Sequence, residues 1–241
     1  MSGAAFILAI NLTVAGLFCA AFVLIASYDR KLEAPRWFAL TYLFGSGNVA
    51  LEAMIPLAGH PGIVLMCGYM AFAIALLTLN VGIARYYGVA TPRMLLAAAL
   101  VTSFVAVAAT LDMPRDLILR MFLYQAPYFM MQAIGFAVVL SVADRRPVDN
   151  LLAALLGLSA LHYLAKPVFA VLLGGIGSSP RDYINTTYAM FSQSTGTVLA
   201  IATALVLLGM LIARMLKDIT VKSETDALSG LLNRRGFEDR L

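Results

Sequence analysis

Seven runs of roughly twenty consecutive apolar residues divide this chain, and they constrain its fold more than any other feature. They cover residues 4–27, 37–57, 62–84, 92–111, 117–141, 151–173 and 183–215. A helix rises ~1.5 Å per residue, so each run matches the ~30 Å hydrocarbon core of a bilayer. In lipid every backbone N–H and C=O must be satisfied within the protein, which selects helices for segments of this kind. Composition agrees. Only 12% of residues are charged and 61% are hydrophobic, against about 25% and about 45–50% in soluble domains. The fold class expected is all-α and polytopic, with seven transmembrane helices.

Charge gives an orientation. With the N-terminus outside, the inner loops hold Arg30, Lys31, Arg36, Arg85, Arg93, Arg145 and Arg146. The C-terminal tail adds Arg214, Lys217, Lys222, Arg234, Arg235 and Arg240. The outer side keeps only Arg115, Arg120 and Arg181. This bias predicts N-out, C-in, as an odd span number also requires. The net charge of +4 is spread over short loops, which does not suggest nucleic-acid binding. Met1-Ser2-Gly3 carries no positive segment and no cleavage site follows, so a removable signal peptide is not expected. Cys19 and Cys67 lie within apolar runs and read as small buried residues.

The seventh run is too long for one crossing. Leu205, Leu208, Ile212, Met215 and Ile219 alternate steps of three and four, the spacing of a coiled-coil seam. Met215 and Ile219 keep this register past the basic boundary at Arg214 and Lys217. A helix that leaves the membrane and pairs with a second copy is expected. The organisation read is a membrane domain at 1–215, a linker at 216–225 and a new domain from 226.

That last segment reads Asp226-Ala227-Leu228-Ser229-Gly230-Leu231-Leu232-Asn233-Arg234-Arg235-Gly236-Phe237. Asp226 and Ser229 suit a turn and helix start, where their oxygens accept free backbone N–H groups. The stretch resembles the opening of GGDEF domains, the diguanylate cyclase family, whose pattern is D-x-L-T-G-L-x-N-R-R-x-F; Ser229 stands in for Thr. The resemblance implies a bacterial inner-membrane enzyme, a homodimer that joins two GTP into cyclic di-GMP with Mg. The family's signature, metal-binding acidic residues and nucleotide-binding Asn and Asp do not occur up to Leu241. These residues are therefore expected to be the input half of such an enzyme and to hold none of its catalytic site.

Ionisable residues inside the spans are the candidate sensing groups, since a charge in hydrocarbon is costly unless paired or lining a site. Glu52, Arg120, His162 and Lys166, with His60 at a helix end, all fall in the outer half and predict a polar pocket there. His162 and Lys166, and likewise Asn48 and Glu52, share helix faces at a spacing of four. Pro167 predicts a kink beside Lys166. Arg120, Tyr124, Tyr128 and Gln132 form a stripe, and the seventh run opens with Tyr183, Asn185, Tyr188, Ser192, Gln193 and Thr195. Structural readings stand beside these: Arg120 and Lys166 snorkelling to the interface, Glu52 in a structural ion pair, and hydroxyls and amides joining helices. A small polar or anionic ligand at His162, Lys166 and Glu52 is one functional reading. A membrane haem b on His162 and His60, or on His162 with Met66 or Met70, is another. A transporter or channel with incidental C-terminal similarity is the alternative from another class. A retinal protein would need Lys166, the one lysine within a span, nearer mid-membrane.

Overall fold

The computed structural model describes residues 3–224, and side chains for 6–220. The GGDEF-like stretch at 226–237 lies outside the described residues. Seven α-helices follow one another, with no strand among the described residues: α1 Gly3–Tyr28, α2 Ala34–Met54, α3 Pro61–Tyr87, α4 Arg93–Thr110, α5 Ile118–Leu140, α6 Pro147–Leu172 and α7 Thr187–Glu224. Two 3-10 turns, Ile55–Leu57 and Tyr183–Asn185, precede α3 and α7. All seven helices are long and apolar enough to cross a bilayer, which makes this a multi-pass membrane protein.

Local chemistry sets the helix boundaries. Pro61 and Pro147 open α3 and α6, where a missing N–H costs nothing. Gly88, at φ +66°, closes α3 in the left-handed region. The sixth span starts four residues before its apolar run, because Asp149 caps the new helix by accepting the Arg146 N–H at 2.7 Å. The seventh begins at Thr187, after residues 183–185 have made a 3-10 turn. α5 and α6 each run unbroken past an internal proline, Pro127 and Pro167.

Six helices form a ring. α1 packs on α2, α2 on α3, α3 on α5, α5 on α6, α6 on α7, and α7 closes onto α1. α4 stands outside, against α3 and α5. We call the end where α1 begins the upper end. There Arg115 Nε donates to Gly177 O (3.0 Å) and Arg181 Nη2 to Ala58 O (2.8 Å), joining three loops. Gly177, at φ +80°, is held where an added Cβ would lie 3.0 Å from Asp182 Cβ. Burial lowers the proton affinity of Arg115, whereas hydrogen bonds from Ser178 and Ser179 hold the Asp182 carboxyl below the usual range.

Large apolar side chains pack the lower half of the ring. Phe22, Phe38, Ile83, Leu152, Leu207 and Leu211 are fully buried there, drawn from α1, α2, α3, α6 and α7. Gly82 allows this packing, since a Cβ on it would come 2.5 Å from Phe38 Cε1. Lipid tails are as apolar as leucine, so close contact of this kind, rather than exclusion from water, holds such helices together. Asn80 adds a polar tie by donating from Nδ2 to Met131 O on α5 at 3.0 Å.

A clasp closes the lower end. The Tyr86 hydroxyl accepts from Arg146 Nη2 (3.0 Å) and donates to Met210 O on α7 (3.3 Å). Arg214 Nη1 donates to Tyr86 O at 3.0 Å, its guanidinium 5.7 Å from that ring. Tyr87 donates to Asp149 Oδ1 (2.9 Å), and Asp149, 2% exposed, pairs with Arg146. These bonds keep Arg146 firmly protonated.

α7 spans 38 residues, about 57 Å, nearly twice the hydrocarbon thickness. Of the expected seam, Leu205, Ile212 and Ile219 face away from the bundle, 58%, 49% and 50% exposed. Leu208 packs instead against the core, and Met215 is half-buried. The helix face turned to the bundle is the adjacent one, with Ala204, Leu207, Met210 and Leu211. Cys67 also corrects the sequence reading: it faces outward on α3, and Cys19 is half-buried; both thiols are free.

Gly82→Val is expected to destabilise the folded protein by about 1–3 kcal/mol through overpacking against Phe38, read as a lower midpoint in thermal unfolding in detergent. An unchanged midpoint would refute the close approach of α2 and α3.

Candidate functional site

The upper half of the ring encloses a cavity of about 340 Å³. Every ring helix contributes to its lining and α4 does not. Glu52, Arg120, Tyr124, Tyr128, His162 and Lys166 all line it, as the sequence predicts, and so do Asn48 and Gln132. His60 does not. It precedes Pro61 at the start of α3, exposed on the upper surface. Met66 and Met70 are also absent from the lining, packing instead against the cluster around Tyr69. A bis-histidine or His–Met haem pair is therefore not brought together at this cavity.

Three ring helices present an aromatic wall. Tyr69 and Phe72 on α3, Tyr124 and Tyr128 on α5, and Tyr163 on α6 form a continuous set of contacts. Their ring centroids lie 4.5 Å apart for Tyr69–Tyr124, 4.6 Å for Tyr69–Tyr128, 5.0 Å for Phe72–Tyr128 and 5.5 Å for Tyr128–Tyr163. Two of the tyrosines are fixed by cross-helix bonds: Tyr69 Oη donates to Tyr124 O (2.9 Å) and Tyr128 Oη to Tyr69 O (3.0 Å). Such edge and offset contacts add to packing and leave each ring one preferred pose.

The opposite wall, from α1, α2 and α7, is small and polar. Gly45, Asn48, Gly196 and Thr197 leave space, and polar pairs tie α7 to its neighbours. Gln193 Nε2 donates to Glu52 Oε1 at 2.7 Å. Thr197 donates to Asn11 Oδ1 at 2.6 Å, and Tyr42 Oη to Ala200 O at 2.8 Å. Gln193 thus ties α7 to α2 at the cavity wall. Asn185 and Thr195 do not reach the lining.

The cations are held in two ways. Arg120 does not snorkel: it is 5% exposed, and its Nε donates to Thr110 O at 2.9 Å, in the last turn of α4. A cation suits the negative end of a helix dipole. Among the described residues, Arg120 has no carboxylate partner and no other hydrogen bond. Lys166 has neither an ion pair nor a hydrogen bond there; its Nζ lies 4.9 Å from the Tyr163 ring centroid. Glu52 pairs with neither cation, so the structural ion pair considered from sequence does not form.

Hydrogen-bond satisfaction separates structural polar residues from candidates for recognition. Thr41, Ser46, Ser103 and Thr203 donate to carbonyls one turn back, which costs the fold little. Four buried atoms of cavity-lining residues behave differently: Gln125 Oε1, Gln132 Oε1, Gln193 Oε1 and His162 Nε2 find no partner among the described residues. Buried polar groups are rarely left so. Tyr69, Tyr163, Gln125 and Arg115 were not singled out from sequence. Their signal was aromatic or polar identity in the upper half of a span or loop, shared with many residues that play no part here.

No protein-family model, curated protein or solved structure matches this chain.

Lys166→Met separates a structural cation from one kept for binding. The lysine makes no hydrogen bond or ion pair that methionine would lose, and a thioether keeps a contact with the Tyr163 ring. The variant is therefore expected to melt no lower than the parent, because an unpaired charge leaves the apolar interior. A loss above about 1 kcal/mol would assign Lys166 a structural role.

Proposed function

We propose that this protein is the membrane input domain of a dimeric diguanylate cyclase, and that occupancy of the upper cavity sets the position of α7. The observation that carries the reading is the dual placement of α7. Its upper part lines the cavity through Ser192, Gln193 and Thr197, and its lower part continues to Glu224 as one helix. The segment at 226–237 resembles the start of the cyclase domain, so α7 would lead from the cavity toward the catalyst.

The orientation read from Lys and Arg makes the upper end external and the lower end cytoplasmic. Signal would then enter from outside. Cyclases of this family need two facing active sites, so the geometry of a dimer is a natural control variable. The outward residues Leu205, Ile212 and Ile219 repeat every seven positions and offer a face for a second copy of α7. The clasp at Tyr86 holds α7 where it leaves the bundle. The competing transporter reading expects helices interrupted near mid-membrane; the helices here are unbroken, which weighs against it.

An insertion series in the full-length protein tests the coupling. One alanine added between Met215 and Asp226 turns everything downstream by about 100°, whereas seven return it to within about 20° of the original. Cyclic di-GMP output in membranes is expected to change several-fold with one residue and to recover with seven. Equal output across the series would sink the proposal. Tyr86→Phe deletes both hydroxyl bonds of the clasp while keeping the ring. It is expected to cost about 1–2 kcal/mol and to shift basal output; an unaltered basal level would remove the clasp from the pathway.

A further inference from the structure

The cavity carries more chemical information than its volume. Arg115, Arg120 and Lys166 line it against one carboxylate, Glu52. Arg115 is committed to loop carbonyls through Nε and Nη2 and lies in the field of the Asp182 carboxylate, and Glu52 offsets a second cation. About one positive charge is left without an answering group, next to a guanidinium that uses a single hydrogen bond although 95% of its surface is covered. A buried guanidinium with free N–H donors is a fork for a planar oxyanion. One uncompensated charge fits a carboxylate better than a doubly charged phosphate.

The remaining surfaces narrow the class further. The five-ring wall, its rings mostly tilted or edge-on to one another, offers an aromatic body both ring faces and ring edges to pack on at ~4.5–7 Å between centroids. Facing it, Gln193 Oε1 is buried and unpartnered, and Glu52 is an acceptor beside it. Acceptors in such a place call for an N–H or O–H donor on the ligand. We propose that the cavity binds a small aromatic carboxylate bearing an N–H or O–H donor, its carboxylate toward Arg120 and Lys166, its ring on the tyrosine wall and its donor toward Gln193 and Glu52. As the signal, this ligand rests on the input-domain reading above; as a binding site it stands on the cavity alone. The contact with Gln193 would couple binding to α7, since the same amide ties α7 to α2.

The test uses the full-length protein in phosphatidylcholine nanodiscs at neutral pH, titrated with 4-hydroxybenzoate, with 4-hydroxybenzamide as neutral analogue and cyclohexanecarboxylate as non-aromatic analogue. Expected is saturable binding of 4-hydroxybenzoate at one site per chain, with both analogues at least about tenfold weaker. Lys166→Met and Arg120→Gln should each weaken 4-hydroxybenzoate by about tenfold and leave the benzamide unchanged; Lys166→Met guards against misfolding of the arginine variant. Absence of saturable binding, equal binding of all three compounds, or undiminished binding in both variants would overturn the assignment. Cyclic di-GMP output is measured on the same samples. Saturable, charge-selective binding with constant output supports the ligand class and overturns the input-domain reading. Absent binding, with output still responsive to the insertion series, overturns the ligand class and leaves that reading intact.

Discussion

Lipid removes the ordinary reason for helices to associate, because hydrocarbon outside a bundle is no less apolar than leucine inside it. What holds α7 to the other helices must then be close packing and polar bonds, and the structure distributes the two unequally. Below, Leu207, Met210 and Leu211 bury completely in the core shared with α1, α2, α3 and α6, reinforced by the Tyr86 clasp. Above, Tyr188 and Phe191 pack α7 on α6, but toward α1 and α2 it is tied through Gln193–Glu52, Thr197–Asn11 and Tyr42–Ala200, each a bond that a polar ligand or water would compete for. Toward α1 and α2, the lower part of the helix is fixed by shape and the upper part by exchangeable hydrogen bonds.

That division explains why the cavity lies where it does. Bulky residues at Phe22, Phe38 and Ile83 fill the lower ring, while Gly45, Gly196 and Thr197 leave the upper ring open. Tertiary bonds between Tyr69, Tyr124 and Tyr128 stiffen one side of the opening. The side formed by α2 and α7 is tied by the Gln193–Glu52 and Tyr42–Ala200 bonds and has no stacked rings between the two helices among the described residues. α4, outside the ring, contributes its terminal carbonyl at Thr110, which holds the Arg120 guanidinium inside rather than at the interface.

The seven helices were legible in the sequence because hydrocarbon imposes length and apolarity on every span, and their boundaries fell within a few residues. The pocket was legible too, since Glu52, Arg120, His162 and Lys166 are costly residues at similar depth. Partners were not. Nothing in the spacing of Glu52 announces Gln193, a residue 141 positions later, and depth alone made an ion pair with Lys166 equally natural. His60 shared the depth of the others but not their direction, because Pro61 places it at a helix start on the surface. The outward turn of Leu205 and Ile212 followed from their spacing, whereas the inward packing of Leu208 depended on where the bundle lies.

The clasp at Tyr86 also sets the mechanics of α7. It grips the helix near Met210 and Arg214, roughly 27 Å below Gln193 and roughly 18 Å above Glu224 at ~1.5 Å per residue. With a fulcrum so placed, the helix is a lever whose output arm is the shorter, and a sideways swing at the cavity reaches Glu224 reversed and reduced to about two thirds. Rotation about the helix axis suffers no such loss. A rod held this way transmits torsion better than tilt, so the face that α7 turns toward its surroundings matters more than the angle at which it stands.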